Sequence, residues 1–91
     1  MAIFDEVKVA IRTTATDAGL TTEITDIIAA AKLDMAAGGV TNTDDTDALV
    51  KRAIILYAKA NYGMANPDME KYQKAYDNLK VLMALTMTYG G

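Results

Sequence analysis

The segment Asp47-Ala-Leu-Val-Lys-Arg-Ala-Ile-Ile-Leu-Tyr-Ala-Lys-Ala-Asn-Tyr-Gly63, followed by Asn66-Pro67-Asp68, decides the fold. Leu49, Val50, Ala53, Ile54, Tyr57 and Ala60 recur three and four residues apart, the spacing of an apolar stripe on an α-helix. Ile55, Leu56 and Ala58 widen that stripe until most of the helix surface is apolar. A helix of this kind belongs at the centre of a bundle, touched by several neighbours. Thr43, Asp44, Asp45, Thr46 and Asp47 mark its start. Each can accept a hydrogen bond from a first-turn N–H, and the acids suit the positive end of the helix dipole. Gly63 marks the stop, and Asn66 and Pro67 read as the N-cap and first residue of the next helix.

Flanking segments extend the pattern. Phe4–Arg12 reads as a short helix, with Phe4, Val7 and Ile11 on one side and Asp5 and Glu6 in the favourable first turn. A polar connection, Thr13–Gly19, leads to a helix over Thr22–Ala37, with Thr21 or Thr22 as N-cap and Leu20 as a hydrophobic staple. Ile24, Ile27, Ile28, Ala31 and Met35 form its stripe, and Gly38-Gly39 end it. The last helix is expected over Pro67–Met87, with Met69, Tyr72, Tyr76, Leu79, Met83 and Met87 on one side and a Glu70–Lys74 pair on the other. The expected fold is an all-α compact bundle of about four helices, near Phe4–Arg12, Thr22–Ala37, Asp45–Tyr62 and Pro67–Met87. The third is expected to be central and the fourth long, in one domain over residues 1–91.

Composition removes most chemistry. The 91 residues include no cysteine, no histidine and no serine. Disulfides, thiol chemistry, the commonest metal ligand and the usual neutral-pH general base are therefore absent. Asp44, Asp45 and Asp47 lack the central glycine and final glutamate of a calcium loop, so helix N-terminal acids account for them. No P-loop, nucleophile elbow or glycine-rich nucleotide motif occurs. No catalytic, cofactor or metal site is expected, and no enzyme. Ala15–Gly19 and the helix after it have the outline of a helix-turn-helix. That helix carries Glu23, Asp26 and Asp34 against Lys32 alone, the wrong charge for approaching phosphates. Tyr57, Tyr72 and Tyr76 fall on apolar stripes, which favours core packing over a base-stacking platform. No run reaches the roughly 18 apolar residues of a membrane span, and Met1–Glu6 lacks the basic start of a secretory signal.

Two features point outward. Net charge is -3 overall, but residues 1–50 hold nine acids and three bases (net -6), whereas residues 51–91 hold six bases and three acids (net +3). Solvated helix faces explain this adequately; a head-to-tail contact between copies is the sharper reading. From Lys80 onward, Val81, Leu82, Met83, Ala84 and Leu85 leave the last helix without a polar face. Val81, Leu82, Leu85 and Met87, with the basic residues Lys51, Arg52 and Lys59, are therefore the expected oligomer or partner interface.

Leu49 to Gly63, Asn66-Pro67-Asp68 and Glu70 to Lys80 closely resemble the head–tail connector and DNA-packaging proteins of tailed bacteriophages. Phe4–Arg12 and Glu23–Lys32 resemble the first two helices of that family; the acidic loop and Thr86–Tyr89 do not match its pattern. The resemblance implies a structural protein of a phage or prophage that forms a homo-oligomeric ring beneath the portal. Such a ring extends the DNA channel, helps retain packaged DNA and docks tail components. Implied partners are copies of itself, the portal and tail-side connector proteins, with DNA passing through without sequence-specific contact and no membrane. The implied location is the virion head–tail junction, reached from the bacterial host cytoplasm during assembly. A small cytoplasmic helical regulator or nucleic-acid-binding protein is the alternative, and a salt-dependent DNA shift would favour it.

Overall fold

The computed structural model describes residues 3–11, 18–61, 68–86 and 89–90, without the side chains of Ala18 and Leu20. Among these residues four helices follow one another: α1 (Ile3–Ala10), α2 (Ala18–Ala37), α3 (Ala48–Asn61) and α4 (Met69–Ala84). No strand occurs among the described residues. The fold is the expected all-α bundle.

Helix α3 packs against all three others. Val50, Ala53, Ile54, Leu56, Ala58 and Ala60 are buried on it, so burial covers most of its circumference. All of these but Ala60 join Val7 of α1, Ile24, Ile28, Ala31 and Met35 of α2, Val40, and Tyr76 and Met83 of α4 in one core. The Tyr57 and Tyr76 rings meet edge to face, 5.2 Å apart at 69°, a geometry that suits the aromatic quadrupole. The three tyrosines on apolar stripes are thus packed inward: Tyr76 is buried, and Tyr57 and Tyr72 lie half-buried against the core.

Local chemistry sets the helix ends. Asp47 Oδ1 accepts hydrogen bonds from the amides of Leu49 (2.9 Å) and Val50 (3.2 Å), so α3 begins at Ala48 rather than at Asp45. The residues before it form side-chain-to-backbone turns instead: Asn42 Oδ1 accepts from the Asp44 amide, and Asp44 Oδ1 from the Thr46 amide. Helix α2 stops where Gly39 takes φ +99°. There the Val40 amide reaches the Met35 carbonyl (2.9 Å) and the Gly39 amide reaches that of Ala36 (3.1 Å). This is a Schellman cap, and its hydrophobic pair, Met35 and Val40, is buried.

Other boundaries also differ from the sequence reading. Helix α2 starts at Ala18, so Thr21 and Thr22 lie inside it rather than capping it. Thr25 returns its hydroxyl to the Thr21 carbonyl (2.9 Å), which accommodates a threonine in a helix. The fourth helix is long, as expected, at 16 residues, and α2 is longer still at 20. Helix α4 begins after Asp68 and ends at Ala84. Beyond Ala84 the chain turns back, with the amides of Tyr89 and Gly90 on the Thr86 carbonyl. The Tyr89 carbonyl then accepts from the amides of Thr41 (2.7 Å) and Asn42 (2.9 Å). Its phenol donates to the Asp47 carboxylate (3.0 and 3.1 Å). These tertiary bonds form only if the chain leaves the helix, and they outweigh the apolar pattern's extension toward Met87. Arg12, Gly63, Asn66, Pro67 and Met87, to which helix ends, caps or interface roles were assigned from sequence, lie outside the described residues.

Gly90 is held tightly here. A Cβ at this position would lie 2.5 Å from the Ala84 carbonyl oxygen and 2.6 Å from that of Gly39. The segment therefore fits against both the end of α4 and the cap of α2. None of the described helices is long and apolar enough to cross a membrane.

Candidate assembly surface

Most polar side chains that reach between helices hold the bundle together. Asp34 Oδ2 accepts from the Tyr76 phenol (2.6 Å) and from Lys80 Nζ (2.9 Å). Lys80 Nζ also lies 5.1 Å from the Tyr76 ring centroid. The Tyr76 hydrogen bond, then that from Lys80, holds the Asp34 carboxyl below its ordinary range. Burial, and then the bond to Asp34, pushes the Tyr76 phenol far up, so it stays a neutral donor.

The acidic loop is used in the same way. The Thr46 amide, then the Thr46 hydroxyl, lowers the Asp44 carboxyl. Asp45 pairs with Lys32 at 2.7 Å. Asp47 caps α3 and accepts the Tyr89 phenol, a bond that raises the pKa of Tyr89. The loop acids thus serve caps, turns and one ion pair, which is what acids ahead of a helix do. Among the described residues no group of three or more acidic side chains is arranged to hold a metal ion.

The residues expected at an interface fall into two sets. Val81, Leu82 and Leu85 are 58%, 61% and 81% exposed, and sit together on the outer side of the last turns of α4. Of the basic residues, Lys51 Nζ lies 3.1 Å from Glu6 Oε2. This is an ion pair without hydrogen-bond alignment, since that oxygen is buried with no hydrogen-bond partner. Lys59 Nζ lies 5.2 Å from the Tyr72 ring centroid. Arg52 is exposed and has no ionic partner among the described residues. Glu70 and Lys74 do not close to the expected ion pair, and both point to water. Little is lost by that, because exposed pairs gain little over hydration.

Sequence reasoning missed a second outward surface on α2. An open groove of about 460 Å³ runs between the N-terminal half of α2 and the end of α3, lined by Glu23, Asp26, Ile27, Ala30, Tyr57 and Asn61 among others. Leu33, 72% exposed, continues the same side of α2 toward its C-terminus. A seven-residue step from Asp26 to Leu33 is two helical turns, so the spacing alone could have placed them on one face.

Surfaces rather than reacting groups are what this arrangement presents. A family model described as Phage connector protein matches residues 3–90. The chain belongs to this phage connector family. The match runs through the acidic loop and the Tyr89 segment, which the resemblance had left out. Neither a search of curated proteins nor one of solved structures finds a significant match. Membership gives the connector a structural role at the phage head–tail junction, in contact with other head and tail proteins.

Proposed function

We propose that this connector assembles as a homo-oligomeric ring below the portal, where it lengthens the DNA channel, helps retain packaged DNA and docks a tail component. Residues 1–91 act as one domain in this reading, without catalysis, and reach the junction from the host cytoplasm. DNA passes through the ring without sequence-specific contact. The observation that carries the proposal is the exposed cluster Val81, Leu82 and Leu85 on a bundle whose core is already closed. Apolar surface left in water forfeits about 25 cal/mol per Å², so a protein neighbour should cover it. The cluster, together with Arg52 and the flanking Lys51 and Lys59, is the proposed contact with a subunit or partner; Met87 extends the same proposal beyond the described residues.

Mass measurement over a concentration series, alone and with the portal protein of the same phage, tests this reading. A discrete high-order oligomer indifferent to DNA is the expected result. A monomer under both conditions that shifts DNA in a salt-dependent way would overturn it.

A further inference from the structure

We infer that the ring contact is a parallel docking of the outer face of α4 of one copy on the outer face of α2 of the next; this rests on the ring reading above. Charge and spacing match between the two faces. Lys71 and Lys74 are exposed near the start of α4, with no ionic partner among the described residues. Val81 lies seven residues beyond Lys74, and Leu85 eleven. Steps of seven and eleven return to the same side of a helix, so these residues make one stripe, basic first and apolar after.

Helix α2 carries the complement in the same order. Glu23 and Asp26 are exposed and have no ionic partner among the described residues. They stand three apart, as Lys71 and Lys74 do. Leu33 lies seven residues beyond Asp26, and exposed Ala37 eleven. Laying the helices side by side in the same direction places Glu23 on Lys71, Asp26 on Lys74, Leu33 on Val81 and Ala37 on Leu85. The charged and apolar bands are each about 10 Å apart along both axes. Alanine at positions 29, 30, 36 and 37 leaves room beside Leu33 for the larger side chains of α4. Glu70 falls opposite Thr22 and not opposite an acid. The antiparallel alternative sets the lysines against Leu33 and Ala37 and buries Asp26 among leucines, which desolvates unpaired charge. Because the two faces belong to different helices, the contact is head-to-tail, the type that closes into rings.

Charge reversal tests the pairing. Glu23→Lys with Asp26→Lys, and separately Lys71→Glu with Lys74→Glu, should each fold as the wild type does by circular dichroism. Each alone should lose the oligomer, or raise its association midpoint by roughly tenfold or more. An equimolar mixture of the two should regain it, since each then offers the face the other needs. Orientation is read from single cysteines in this cysteine-free chain. Mixed Ala37→Cys and Leu85→Cys should give mainly the mixed disulfide; an antiparallel contact would instead join Ala37→Cys to Lys71→Cys, and that result would overturn the orientation. Folded reversal variants that assemble like the wild type, a mixture that fails to regain the oligomer, or mainly like-with-like disulfides would overturn the pairing while leaving the ring intact. A wild type that never oligomerises, alone or with portal, overturns the ring reading and the pairing with it.

Discussion

Tyr76 and Asp34 show how single side chains hold this connector together. Tyr76→Phe keeps the ring in the core and removes the 2.6 Å bond to Asp34. A loss of about 1 kcal/mol is expected, read as a fall of several degrees in the thermal midpoint. The Asp34 carboxyl sits below its ordinary pKa in the folded chain. Its contribution is therefore present above the unfolded value, near 4, and is lost as pH falls through the folded one. Asp34→Asn should flatten the acid limb of a plot of thermal midpoint against pH. Tyr76 has the opposite sign: its phenol is raised, so its share is complete below about pH 10 and is lost as pH rises past that point. Gly90→Ala acts by another route. Its Cβ would meet backbone oxygens at 2.5 and 2.6 Å, so the Tyr89 segment must lift away from Thr41, Asn42 and Asp47. A loss of about 1–3 kcal/mol is expected from chemical denaturation.

Among the helices, the end of α4 separates packing from assembly. Val81→Glu with Leu85→Glu should leave the circular dichroism spectrum unchanged, because both side chains already face water. Loss of oligomer or portal binding is the expected outcome; unfolding, or normal assembly, would remove this face from the interface. Much of the helical order was legible in the sequence, because the stripes of α2, α3 and α4 repeat at the helical period and local residues stop α2. What was not legible depended on distance along the chain. Asp34 finds Tyr76 and Lys80 at separations of 42 and 46 residues, and Tyr89 finds Asp47 at 42. No local pattern announces such partners. The same blindness lengthened α4, since its apolar residues run past Ala84 and only the distant bonds of Tyr89 explain why the helix stops. The outer face of α2 was not legible for a different reason: the charge asymmetry assigns its acids to one half of the chain but to no helix face, and Leu33 lies off the stripe of Ile24, Ile27, Ile28, Ala31 and Met35.

For the connector as a whole, stability should not depend on a metal. The loop acids are engaged in caps, turns and the Lys32 pair, so chelator treatment should leave the thermal midpoint unchanged. A drop of several degrees would mean that Asp44, Asp45 and Asp47 serve an ion instead. The two phenol-to-carboxylate bonds have an optical consequence. The chain has no tryptophan, so its intrinsic ultraviolet emission comes from its five tyrosines. An excited phenol is a far stronger acid than one in the ground state, and a carboxylate already in contact can take its proton and quench the emission. Tyr76 and Tyr89 should therefore be dark in the native connector and brighten when it unfolds. A Tyr76→Phe, Tyr89→Phe double variant should show a much smaller rise on denaturation, giving a label-free signal for following this protein as it opens.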